Sequence, residues 1–303
     1  MPIHPQMQTF LDMLVASQLP PYEESTVSAA RDRMEAIAML EAPADSVAEV
    51  RDLTLPSPQG DIPLRLYHPQ PGQTLSALLY FHGGGWVIGS ISSHDRLCRA
   101  IASSAGCAVI SVGYRLAPEH KFPAALEDAL AVYRGLLGSG QAPDRLIVGG
   151  DSAGGGLTLA LLLKLRELGL PQPRAALLLC PWVDIMDSEG SVQRNAAYDW
   201  MKPGQPQLWA EYYLPSGHDG KAPLVSPLYA DLTGLPPLMV QVGTAEMLYD
   251  QVLRFAQRAR EAGVKLTLDE AQDMIHDWHL LAPFFPHCQA AIDRLAAFMR
   301  KPD

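Results

Sequence analysis

Ser152 lies in Gly150-x-Ser152-x-Gly154, between the apolar run Arg145 to Val148 and the leucine-rich run Leu157 to Leu168. Strand, tight glycine turn and helix, in that order, form the context of a nucleophile elbow. The serine then stands at the apex of a strained turn. Glycines on either side lack the Cβ atoms that would clash where strand and helix cross. The turn lifts the hydroxyl out of the sheet. The amide of Ala153 opens the helix, so it is an unpaired donor aimed at an incoming anion. Two other glycine-based chemistries fail on the same residues. A phosphate loop ends in Gly-Lys-Ser/Thr, and the first lysine here is Lys164. A dinucleotide fingerprint needs G-x-G-x-x-G before a helix, and neither glycine cluster supplies it in register.

A second cluster, His82-Gly83-Gly84-Gly85-Trp86, follows the apolar run Leu78 to Phe81. Three glycines after a strand let successive backbone amides point into one concavity. Gly83 and Gly84, with Ala153, are the expected oxyanion donors, and one such donor stabilises a transition state by about 2.7–4 kcal/mol. His82 is expected to hold the glycine loop by hydrogen bonds. A serine hydroxyl is a weak nucleophile at neutral pH and needs a base. The base needs a carboxylate that fixes its tautomer and stabilises its charged form. In hydrolases with this elbow the order is serine, acid, histidine, each after a later strand. His276 and His279 follow the last expected strand, and His276 is the preferred base. Glu246 and Asp250 both follow the strand ending at Val242. Glu246 falls in the loop directly after it, within reach of the base. Asp250 falls in the first turn of the next helix, where a carboxylate already has a structural use at the positive end of the dipole. Trp86 and Asp151, next to the two motifs, are the candidates for contact with substrate. Arg115, Glu119 and Asp128 are placed to form ion pairs that hold a loop beneath the site.

These residues need a frame. Met7, Phe10, Leu11, Leu14 and Val15 recur at helical spacing, as do Ala30, Met34, Ile37 and Leu40, with Pro20-Pro21 between the two sets. Residues 1–45 are therefore expected to form a helical cap segment. Residues 49–68 read as a β-hairpin around Ser57-Pro58-Gln59-Gly60. Strands are expected at 78–81, 107–112, 145–148, 175–180, 238–242 and 264–268. Helices are expected over 95–105, 122–137, 157–168, 248–262 and 284–299. Alternating strands and helices predict an α/β fold, a mostly parallel sheet with helices on both faces. In such sheets sites lie at the carboxyl ends of the strands, which puts His82–Trp86 and Ser152 on one rim. The catalytic core is expected over 46–180 and 237–303. Residues 181–236 carry scattered aromatics among prolines and glycines and are read as an insertion contributing to the cap.

The chain has 303 residues, 48% of them hydrophobic, enough for one large core with an added subdomain. Its net charge of −10 argues against a nucleic-acid partner, which needs a basic surface. Cys98, Cys107, Cys180 and Cys288 form no C-x-x-C pair and sit in apolar surroundings, as buried small hydrophobes do. No secretory signal and no membrane span is visible, so a soluble, cytoplasmic protein is expected. The expected partner is a small molecule in an apolar pocket near Trp86, Trp182 and Trp209, and a homodimer is left open.

At the level of motifs the chain resembles the hormone-sensitive-lipase family of α/β-hydrolases, especially its bacterial esterases. The likeness runs from about Ala77 to Trp278. It is carried by His82-Gly83-Gly84-Gly85-Trp86, by Tyr114-Arg115-Leu116-Ala117-Pro118-Glu119 with Phe122-Pro123-Ala124-Ala125, by Gly150-Asp151-Ser152-Ala153-Gly154-Gly155, and by Met274-Ile275-His276-Asp277-Trp278. The resemblance implies a catalytic triad, an N-terminal helical cap and hydrolysis of short to medium acyl esters with no metal or other cofactor. Many relatives carry Asp-Pro-Leu-x-Asp where this chain has Glu246-Met247-Leu248-Tyr249-Asp250, so the family's acid position falls on Glu246. Some relatives with this departure are similar to monoterpene lactone hydrolases, which makes lactone hydrolysis the alternative reading. An amidase and a ligand receptor without chemistry are the more distant ones.

Overall fold

The computed structural model describes residues 3–17, 25–38, 47–73, 75–202, 204–282 and 284–300. Pro20, Pro21 and Leu40 of the N-terminal pattern lie outside the described residues. Among the described residues eight strands form one sheet, β1 (Glu49–Leu55), β2 (Ile62–His68), β3 (Ala77–Phe81), β4 (Ala108–Val112), β5 (Leu146–Asp151), β6 (Ala175–Leu179), β7 (Leu238–Gly243) and β8 (Leu266–Ala271). Their spatial order is β1-β2-β4-β3-β5-β6-β7-β8. The hairpin β1–β2 joins β4 antiparallel, and from β4 to β8 every pairing is parallel. The central strands β3, β5 and β6 are buried on both faces, so they read as continuous apolar runs.

Alternate side chains of these strands enter two apolar cores. Leu79, Phe81, Val148 and Leu178 face one, while Leu78, Tyr80, Leu177 and Leu179 face the other. The first core is closed by α4 (Ala124–Gly138), α5 (Ala153–Glu167) and α8 (Tyr249–Glu261). The second is closed by α3 (Asp95–Ala105) and α9 (Pro286–Arg300). Helix α5 is buried from Ala153 through Leu163, which its leucine-rich sequence matches. Truncating one of these leucines, such as Leu161, to alanine would cost roughly 2–5 kcal/mol.

The last strand begins two residues later than the sequence predicts and runs further, to Ala271. Val264 donates its amide to the carbonyl of Ala259 and so still belongs to the end of α8, after Gly263 at φ 79°. The charged end Asp269–Glu270 is tolerated because β8 is the sheet edge and only half-buried. Helix α4 starts at Ala124, with Pro123 as its N-cap, instead of at Phe122.

In the N-terminal segment, α1 (Pro5–Ala16) buries Met7, and α2 (Val27–Ala38) buries Ala30 and Met34. Val15 points outward, 78% exposed, so the periodicity of the first helix overstates its apolar face. Arg31 ties α2 to the body. Its guanidinium donates to the carbonyls of Val87 and Ala117, each at 2.9 Å, and to both oxygens of Glu119. Glu119 therefore pairs with Arg31, and the expected cluster beneath the site is reduced to Arg115 with Asp128 and Glu127.

Between β6 and β7 lie two further helices, α6 (Ser191–Arg194) and α7 (Gln205–Tyr213). Tyr213 stacks on Trp86 with ring centroids 4.2 Å apart, and Trp182 stacks on Trp86 at 5.1 Å. The indole of Trp200 donates to the carbonyl of His276. This segment clamps the glycine loop and the histidine loop at once. Among the described residues no helix is long and apolar enough to cross a membrane.

Candidate active site

The elbow is built as its sequence requires. Ser152 sits between β5 and α5 at φ 51°, ψ −120°, in the left-handed half of backbone space that a residue with a side chain rarely adopts. The strain is held by neighbours on both sides. The Ser152 amide donates to Leu179 on β6, and its carbonyl accepts from Gly156 and Trp182. A Cβ on Gly154 would fall on the carbonyl oxygen of Phe81, so only glycine lets α5 cross β3 this closely.

Parallel pairing sets Phe81 opposite Gly150, which brings the loop after β3 beside the elbow. A Cβ on Gly83 would collide with the Asp151 carboxylate and lie 3.1 Å from Cβ of Ser152. The amides of this loop therefore run directly past the serine. His82 is buried, with Nδ1 2.8 Å from the Gly83 carbonyl and its ring stacked on Tyr114. Burial pushes its pKa down to about 3, with His94 adding to the effect, so it stays neutral. That matches the loop-holding role expected for it.

His276 lies in the loop after β8 and puts Nε2 2.8 Å from Oγ of Ser152 across 124 residues of sequence. On the opposite side of the ring, Nδ1 is 3.8 Å from Oε1 of Glu246, which follows β7. Among the described residues neither of these two atoms has a hydrogen-bond partner. Such separations are common in unliganded sites and close when substrate binds. Oε2 of Glu246 accepts from the Gly243 amide. Burial opposes charge on the His276 ring, but Asp277 and Glu246 outweigh it and raise its pKa well above the ordinary value.

The competing candidates are engaged elsewhere. His279 bonds to Gln241 at 2.9 Å, and burial lowers its pKa to about 3. Asp250 is in the first turn of α8, where it accepts from the Ser191 amide and pairs with Arg194 at 2.7 Å.

The two candidates for substrate contact are engaged within the protein. Both oxygens of the Asp151 carboxylate are occupied. Oδ1 accepts from the Tyr80 hydroxyl at 2.5 Å, and Oδ2 lies 3.1 Å from Nε2 of His94. Burial would raise the Asp151 pKa, yet His94 and Tyr80 hold it lowered. Trp86 is only 2% exposed and stacked between aromatic neighbours, so it packs behind the glycine loop. Both residues form the frame under the site.

Sequence reasoning missed the residues that fix the acid loop. Asn195 donates its amide to the carbonyls of Thr244 and Glu246, and Asp199 accepts from the Met247 amide at 2.8 Å. Burial raises the Asp199 pKa to about 6, against the opposing effect of His276. Their signal in sequence is faint, polar residues in a segment without periodicity. Cys180, Glu246 and His276 bring potential donor atoms within 4.8 Å of one another. Two of the three already face each other as a histidine–carboxylate pair, so a metal there would block that pair, and none is assigned.

Residues 78–280 match the family model of the α/β-hydrolase fold. An esterase of the bacterial hormone-sensitive-lipase family superposes with a TM-score of 0.90 at 39% identity, covering 99% of both chains. The chain belongs to the α/β-hydrolases, in that bacterial esterase family. Within it, this hydrolase is 43% identical over 232 residues to an acetyl-hydrolase of Streptomyces hygroscopicus, with 76% of each chain covered. It is 33% identical over 293 residues to an ethyl acetate hydrolase of Pseudomonas putida, with 92% of each covered.

Proposed function

We propose that this carboxylic ester hydrolase works through an acyl-enzyme on Ser152, with His276 as its base and Glu246 as the acid behind the base. The observation that carries the reading is the 2.8 Å contact between His276 Nε2 and a serine held at φ 51° on an elbow. His276 takes the Oγ proton as Ser152 attacks the ester carbonyl. The oxyanion that forms is met by the amides of Gly83, Gly84 and Ala153, donors of a kind worth about 2.7–4 kcal/mol each. His276 then gives its proton to the leaving alcohol. Water repeats the sequence and releases the acid. Glu246 stabilises the imidazolium and keeps Nε2 facing the serine.

The substrate class is a small ester, the kind for which its acetyl-hydrolase and ethyl acetate hydrolase relatives are named. The N-terminal helices act as a cap. Phe10 of α1 and Met34 of α2 border a cavity of about 30 Å³ that His276 and Asp277 close from below. Ser152→Ala should abolish turnover of p-nitrophenyl acetate in a folded protein, and an organophosphate should label Ser152. A label on another residue, or full turnover by the variant, overturns the reading.

A further inference from the structure

One buried carboxylate beside the base has no part in that mechanism. Asp277 follows His276 directly, with backbone φ of 49°, and is 5% exposed. In this left-handed conformation its Oδ2 lies 3.1 Å from Nε2 of His276. Oδ1 has no hydrogen-bond partner among the described residues. One ring nitrogen therefore has two partners, Ser152 Oγ at 2.8 Å and Asp277 Oδ2 at 3.1 Å. Nε2 carries either one proton or one lone pair in the ring plane. It cannot donate to a carboxylate and accept from a hydroxyl at the same time.

We propose that Asp277 competes with Ser152 for Nε2 of His276 and so gates the base. The inference rests on the serine–histidine reading above. In the closed state Nε2 is protonated and donates to the Asp277 carboxylate, and Ser152 keeps its proton with no acceptor. In the open state that proton has left for solvent, and the lone pair on Nε2 accepts from Ser152. Of the two resting states Asp277 stabilises the closed one, because there the ring is already positively charged and a donor. Catalysis needs the open one.

Groups on every side act on the Asp277 carboxylate, and of these only His276 favours its charged form. Burial pushes Asp277 up to about 7; His276 opposes this, while Asp151 and Glu246 add to it. From β5 the facing charge is Asp151, itself engaged by Tyr80 of β3 and by His94 before α3. Glu246 and Asp199 act on the ring from the acid loop and the 181–236 segment. From the end of β6, the Cys180 thiol meets the Asp277 backbone, and burial keeps that thiol protonated. The cap helices contribute apolar Phe10 and Met34 to this spot. His94 is bound to Asp151, so Asp277 has His276 as its direct cationic partner.

The test is the pH dependence of kcat/KM for p-nitrophenyl acetate, together with the rate at which an uncharged organophosphate labels Ser152. Both are compared in the wild type and Asp277→Asn, which keeps the shape and removes the charge. An opposite charge at this range shifts a histidine by about 1–3 pH units. The acidic limb of both profiles should lie above the ordinary histidine value of about 6.5 in the wild type. In Asp277→Asn both limbs should move down by about 1–3 units, so the rate below the wild-type limb rises roughly tenfold or more. Unmoved limbs in the variant overturn the gate while Ser152 labelling leaves the triad standing. A wild-type limb at or below about 6.5 overturns it without any variant. Failure of the wild type to label at Ser152 at every pH instead removes the triad, and the gate with it.

Discussion

Nδ1 of His276 faces Oε1 of Glu246 at 3.8 Å, and both atoms are buried and have no hydrogen-bond partner among the described residues. Two unsatisfied polar atoms aimed at each other in a closed site cost free energy until they meet, roughly 1–3 kcal/mol for each. Closing about 1 Å would make the hydrogen bond that an imidazolium needs, at the moment Ser152 loses its proton.

The first prediction separates the two acids near this strand end. Glu246→Gln should lower kcat by several orders of magnitude with little change in KM, since the analogous acid-to-amide change in a serine protease costs about 10⁴ through the wrong tautomer. Asp250→Asn breaks the pair with Arg194 at the start of α8, so its main effect should be on stability, with a smaller loss of rate. Steady-state kinetics and thermal melts on both variants at one pH check this. The reverse ranking would transfer the role to Asp250.

What is legible in the sequence follows from the range of the interactions. The elbow can be read because its glycines answer a local steric demand, here the approach of Gly154 to Phe81. His276 can be placed because strand order alone carries the loop after β8 to the rim that holds Ser152. The inward turn of the Asp151 carboxylate is hidden in the sequence because its partner His94 is 57 residues away. The pairing of Glu119 with Arg31 spans 88 residues and is equally hidden. Asn195 and Asp199 hold the acid loop from a segment without helical or strand periodicity, so no pattern points to them. The competition at Nε2 depends on one left-handed φ at Asp277, which residue type does not predict.

The second prediction concerns α2. Arg31 grips two carbonyls and Glu119, while Met34 on the same helix borders the cavity by His276. Arg31→Ala should loosen the helix and raise KM more than it lowers kcat, because Arg31 touches none of the reacting groups. The hydrogen bond from Arg31 is the largest cause holding the Glu119 pKa down to about 2. A carboxylate depressed on folding contributes stability above its unfolded value near 4.5, and that contribution is lost as pH falls toward about 2. Both side chains are partly exposed, so solvent screens the pair and the contribution is small. Protease susceptibility of the N-terminal segment should thus rise in acid in the wild type. In Arg31→Ala it should be high already at neutral pH, and equal susceptibility of the two proteins at neutral pH would count against this role.

The third prediction is about size. The cavity that His276 and Asp277 share with Phe10 and Met34 holds about 30 Å³, room for no more than a few water molecules. Its lining is mostly apolar, with Trp200, Leu280 and Leu281 completing it. If the leaving alcohol departs past Nε2 of His276 on this side of the ring, its bulk meets this cavity first. Short esters of small alcohols should therefore be turned over in preference to emulsified long-chain triglycerides. Each methylene that an apolar pocket accepts or refuses is worth about 1–3 kcal/mol, or 10–200-fold in kcat/KM. Met34→Ala removes side-chain volume from the wall without touching Ser152, His276 or Glu246. The ratio of kcat/KM for a butyl over a methyl ester of the same acid should rise by roughly tenfold in that variant. An unchanged ratio, or efficient triglyceride hydrolysis by the wild type, would mean that the alcohol leaves by another route and that the cap helices do not set the size limit.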